Sequence, residues 1–196
     1  LLSNWFQWTV LSAWGLAVAC LILTVRYPNG STSLFLIPLV LGLIGLAQLV
    51  REQPPFPPET TIGLWRGIHA VSLVIGTMFI SFGLAFGTMY LVQSHRLKSK
   101  KRARSRFKLP ALEFLQSMNR LSLYSSAAAL ALGVLSGIVL NLNRRGNIEW
   151  FSGGIIFTSA LFVWALVAAL LEMTSSGSLG GRRGAYLAIA NFAFLA

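Results

Sequence analysis

An all-α, polytopic transmembrane helix bundle of about six spans follows from three features of this sequence. Of the 196 residues, 55% are hydrophobic and only 11% charged, with a mean hydropathy of +0.69. Soluble domains carry roughly 25% charged residues. The apolar residues fall in successive runs of about 20, the length that crosses a bilayer as a helix. These runs lack the alternation of barrel strands, which leaves helices as the spanning elements.

The spans are expected at about Trp5 to Val25, Ser33 to Val50, Ile62 to Val92, Leu121 to Leu142 and Phe151 to Leu171, with a sixth opening near Gly184. The third is overlong for about 20 residues, so it is either tilted or extends past the membrane. Two connections carry their own texture. "REQPPFPPETT", residues 51–61, is proline-rich and cannot be helical through its centre, so it reads as an outer loop. "KSKKRARSRFKLPALEFLQSMNR", residues 98–120, is a polybasic stretch followed by a short helix signal. Pro110 suits a first helical position, Glu113 a first turn, and Leu112, Leu115 and Met118 recur on one face. A helix lying at the inner membrane surface is expected there. Residues 1–61 then form two N-terminal helices and the proline-rich loop, and residues 62–196 a second transmembrane unit. The start without methionine and the end inside an apolar run suggest part of a longer protein.

Basic residues set the orientation. Arg26, the run from Arg96 to Lys108, Arg120, Arg182 and Arg183 fall on one side, twelve against the four of Arg51, Arg66, Arg144 and Arg145. The positive-inside rule makes the first side cytoplasmic, as for a bacterial-type plasma membrane, with the N-terminal residue outside. Trp5, Trp8, Trp65 and Trp150 fall at outer ends, and Tyr27, Tyr90, Tyr124 and Tyr186 at inner ends, where amphipathic rings sit. The net charge of +11 lies between spans. It therefore indicates orientation and contact with anionic lipid, and nucleic acid is not an expected partner.

Several chemistries are excluded within the segment. Cys20 is the sole cysteine, so there is no internal disulfide, thiolate zinc site or CxxCH motif. The acids are Glu52, Glu59, Glu113, Glu149 and Glu172, with no aspartate, which excludes Ser-His-Asp triads and carboxylate metal clusters. Glu172, at the inner end of the fifth span, reads as an interfacial acid with no special role, and Trp164 in mid-span as packing.

Small residues order the packing, because helices in lipid associate through close backbone approach. Ser125, Ala129, Gly133, Gly137 and Asn141 recur every four residues in the fourth span. His69, Ser72, Gly76, Gly83 and Gly87 fall roughly on one stripe of the third, so His69 is expected to face the bundle. Trp65 and Arg66 stand beside it, and Arg144, Arg145 and Trp150 share the outer layer. A neutral histidine can ligate haem iron, aromatic rings can cover a macrocycle, and arginines can pair with propionates. The same set also suits an ordinary tryptophan belt with flanking charge. Taken alone, His69 reads more readily as a structural histidine, hydrogen-bonded to a carbonyl or to Ser72, than as a metal ligand.

Three motifs add to this in chain order. "HAVSLVIGTMFISFGLAFGTMYLVQSHRLKSKK" (69–101) closes on a YLxQxxxLKxK element, "LPALEFLQSMNRLSLYSSAAALALGVLSGIV" (109–139) opens on LPxLE, and "GGRRGAYLAIANFAF" (180–194) is an arginine-rich turn into a helix. Over residues 68–196 the sequence resembles the cytochrome c assembly membrane proteins, the haem-handling group that includes CcsA, CcmC and HemX-like proteins. The resemblance implies haem binding and delivery at the outer face for cytochrome c maturation, by coordination rather than catalysis. A cytochrome c synthase role, and maturation proteins as partners, are implied only through it. His69 occupies the place of the family's first external haem-ligating histidine; the second would lie beyond Ala196. In two places the sequence departs from the pattern. The tryptophan-rich outer loop with its WDPKE element is replaced by "NRRGNIEWFSGG", residues 143–154. The intramembrane histidine, expected around Leu171 or Glu172, is absent. The closer likeness is to a divergent CcsA-like or HemX-like branch. The alternative it leaves is a membrane scaffold or regulator of tetrapyrrole or cytochrome biogenesis that does not itself bind haem.

Overall fold

The computed structural model describes residues 4–27, 31–53, 63–98, 109–145, 153–174 and 178–195, and among them six α-helices and no strand. They are α1 (Trp5–Arg26), α2 (Ser33–Leu49), α3 (Gly63–Lys98), α4 (Leu112–Arg145), α5 (Gly153–Met173) and α6 (Ser178–Leu195). Four of them, α1, α3, α4 and α5, are long and apolar enough to cross a membrane; α2 is a shorter apolar helix of 17 residues. The chain is thus an all-α polytopic bundle, and a multi-pass membrane protein.

The helix bounds follow local chemistry. Asn4 caps α1 by accepting the Gln7 N–H at 3.0 Å. α3 runs 36 residues, about 54 Å at 1.5 Å per residue, well past the roughly 30 Å hydrocarbon core. It passes through His95, which is exposed, to Lys98. The separate surface helix expected after the polybasic stretch does not form. Leu112 to Arg145 is one helix of 34 residues, because "MNRLS" between the two expected elements contains no glycine or proline to break it. α6 starts at Ser178, six residues before the expected Gly184.

α3 is the central helix. Along its N-terminal half it runs antiparallel to α4: the Cβ positions of Gly76, Gly133 and Gly137 face Leu130, Leu73 and His69 in turn. Along its C-terminal half it lies against α6, where Gly83 meets Ala188 and Gly87 meets the backbone of Ala185. α5 lies antiparallel to α6, with Trp164 stacked on Phe194 at 4.8 Å, and Gly15 of α1 fits under Met78. The largest core cluster joins Leu16 and Cys20 of α1 and Leu36 of α2 to Phe86 and Met89 of α3 and Leu115 of α4.

Tyr90 departs from the expected interfacial belt. It is buried, its phenol pressed against Gly181 of α6. Several buried serines are satisfied within their own helices, as in Ser81 to the Thr77 carbonyl at 2.9 Å and Ser122 to the Met118 carbonyl at 2.8 Å. This back-bonding removes the cost of a polar side chain in an apolar layer.

Candidate functional site

His69 lies near the start of α3, where Gly133 and Gly137 open a backbone groove on α4. Its ring is half-buried, and Nδ1 stands 2.7 Å from the Gly133 carbonyl oxygen. A carbonyl can only accept, so Nδ1 carries the proton and donates. In the neutral ring this leaves the lone pair on Nε2, the atom that a metal ion would take. Ser136 Oγ also reaches the Gly133 carbonyl, at 3.0 Å, and Ser72, buried, sits one turn further along α3. The groove holds the ring closely. A Cβ on Gly137 would stand 3.0 Å from His69 Cε1 and 3.1 Å from Nδ1, against 3.9 Å from Nε2. Nδ1 and Cε1 are the ring atoms facing Gly137, and Nε2 stands off it.

The remaining candidates distribute unevenly. Trp65, half-buried, lies four residues before His69 and so one turn outward on the same face. Arg66 is exposed beside it. Arg144 and Arg145 close α4 at the same end as His69, about 10 Å beyond Gly137 along the helix, and their side chains lie outside the described residues. Trp150 also lies outside the described residues. The structure therefore brings His69, Trp65 and Arg66 together at one end of α3 and locates the ends of α3 and α4 side by side there.

A second polar centre, at the opposite end of the bundle, was not expected from the sequence. Glu172 is not an interfacial acid: its side chain is wholly buried, and Oε1 accepts from Arg120 Nε at 2.7 Å. Its other oxygen and Asn119 Oδ1 are buried without a hydrogen-bond partner among the described residues. Gly184 makes room for it, since a Cβ there would stand 2.6 Å from Oε2. An acid closing an apolar run looks interfacial by position alone. The signal that could have found its partner is Arg120, at the matching inner end of the fourth span.

Among the described residues no group of three or more His, Cys, Asp or Glu side chains could hold a bare metal ion. A single anchored histidine is instead the donor set for a metal that brings its other ligands with it, as haem iron does. His69 fits that requirement through its fixed tautomer and free Nε2.

Fold and site together define a multi-pass α-helical membrane protein with a histidine anchored on a helix-helix contact at one end of the bundle. Among known proteins it is similar to two curated ones, each named cytochrome c biogenesis protein CcsA, from Prochlorococcus marinus strains NATL2A and NATL1A. They are 26% and 25% identical to it over an alignment of 222 positions, gaps included, that covers 97% of this chain and 69% of each relative. These matches support a divergent CcsA-like cytochrome c assembly family for the chain. No protein-family model and no solved structure matches it.

Proposed function

We propose that this protein acts in cytochrome c biogenesis by binding haem at the outer membrane face, with His69 Nε2 as an axial ligand. The observation that supports this reading is the Nδ1–H bond to the Gly133 carbonyl, which orients the ring and leaves the Nε2 lone pair available to a metal. Bound haem would supply an iron that a neutral imidazole can ligate. Trp65 would cover the macrocycle, with Trp150 across the layer, while Arg66, Arg144 and Arg145 would pair with its propionates. The role is delivery rather than catalysis, in a bacterial-type plasma membrane with the polybasic stretch 96–108 in the cytoplasm. Cytochrome c maturation proteins are its expected partners.

The test is the absorption spectrum of the full-length protein purified from haem-replete cells. Wild type is expected to carry haem, His69→Ala to lose occupancy or shift the Soret band, and added imidazole to restore it. Haem-free wild type would overturn the reading.

A second reading is a scaffold or regulator that does not bind haem. It is favoured by the buried Glu172–Arg120 pair, which stands where the family resemblance expects an intramembrane histidine. Under it, partners would co-purify equally well with wild type and with His69→Ala.

A further inference from the structure

The exposed face between α5 and α6 carries a shallow apolar groove in two parts that share Trp164. Its inner part, about 310 Å³, is lined by Trp164 and Leu171 of α5 and by Arg183, Tyr186, Leu187 and Ala190 of α6. Its outer part, about 400 Å³, continues past Trp164 to Ser159, Val163 and Phe194. The α6 positions recur at three- and four-residue intervals, so they form one helix face. Both parts are almost wholly apolar except at the inner end, where Arg183 is exposed and makes no ion pair among the described residues. Tyr186, 62% exposed, places a phenol next to it.

We propose that this groove binds one anionic phospholipid from the basic-side leaflet, its phosphate on Arg183 and Tyr186 and one acyl chain along Trp164. Each part is a shallow, open depression of about 310 and 400 Å³, with room for a flexible chain lying along the helices. Length agrees: Leu171 to Ser159 spans about 18 Å along α5, close to one leaflet of a roughly 30 Å hydrocarbon core. Charge selects the headgroup. A guanidinium grips a phosphate through two parallel N–H···O bonds, and basic pockets between helices on this side recruit anionic lipid. The Trp164–Phe194 stack, with its rings 14° from coplanar, forms a flat floor against which methylenes can lie.

The groove reports on itself through Trp164. Full-length protein is reconstituted in phosphatidylcholine vesicles doped with acyl-brominated phosphatidylglycerol or acyl-brominated phosphatidylcholine. Tryptophan quenching is read as the difference between wild type and Trp164→Phe. Brominated phosphatidylglycerol is expected to reach half-quenching at about fivefold lower mole fraction than brominated phosphatidylcholine. Arg183→Gln is expected to abolish that preference, and Arg183→Lys to keep most of it. Arg183 is exposed, so neither change threatens the fold. Equal quenching by the two headgroups, or a preference surviving Arg183→Gln, would overturn the proposal. So would no quenching by either lipid, the result if another stretch of protein covers the groove.

Discussion

At the scale of single residues, the contact between His69 and Gly137 decides how the outer site is built. A methyl on Gly137 would press the ring at 3.0 Å while the bond to Gly133 holds it in place. Gly137→Ala is therefore expected to destabilise the protein by about 1–3 kcal/mol through overpacking. The clash needs the imidazole, so His69→Ala combined with Gly137→Ala should be less damaging than the sum of the two, with a coupling above roughly 0.5 kcal/mol. Unfolding titrations in mixed micelles measure this, and additive effects would show that the two residues do not share the site. The bundle-facing stripe carrying His69 was legible in the sequence because helical spacing puts His69, Ser72 and Gly76 on one face. Its hydrogen-bond partner was not, because a backbone carbonyl leaves no residue-type signature. The buried Glu172 was hidden for a related reason. Its partner Arg120 is 52 residues away, and only packing of α4 on α5 joins them.

At the scale of elements, glycines that look alike in sequence have different duties. Gly87 brings α3 against α6 so closely that a Cβ would meet the Ala185 carbonyl oxygen at 2.9 Å and its Cα at 3.3 Å. Backbone cannot rotate away as a side chain can, so Gly87→Ala must push two helices apart, an expected loss of about 1–3 kcal/mol. Gly45 of α2 has nothing within 4 Å of its Cβ position. Gly45→Ala is expected to be neutral or to stabilise by up to about 1 kcal/mol, because alanine is the better helix former. Thermal unfolding of the two variants in one detergent separates the cases, and equal losses would show that the α3–α6 approach is not tight. Gly87 stands in a GxxxG pattern with Gly83, which is why its packing role was legible. The merging of the expected surface helix into α4 was not, since the fourth span was expected to open only where the apolar run begins, at Leu121, while "LEFLQSMNRLS" holds nothing that breaks a helix.

Across the whole molecule, the two ends of the bundle are constructed differently. The end around His69 rests on the pairing of α3 with α4. The opposite end ties four helices together: Tyr90 under Gly181, Gly87 against Ala185, Arg182 Nε donating to Ser94 Oγ at 3.3 Å, Glu172 against Gly184, and Arg120 to Glu172. Removing either member of the last pair should weaken this end, but not equally. Arg120→Ala leaves a carboxylate buried with its charge partner gone, whereas Glu172→Gln leaves an arginine whose side chain is already 37% exposed and can turn to water. A fully buried broken pair costs roughly 3–5 kcal/mol. The exposure of Arg120 lowers the expected loss for Arg120→Ala to about 2 kcal/mol, and Glu172→Gln should lose less. Gly137, beside His69, lies about 25 Å from Arg120 along α4. Both variants should therefore lower the unfolding midpoint and, on the proposed haem-binding function, leave the Soret band of the folded protein in place. A band that shifted with Glu172→Gln would instead tie the inner acid to the haem reading and reduce the separation between the two ends.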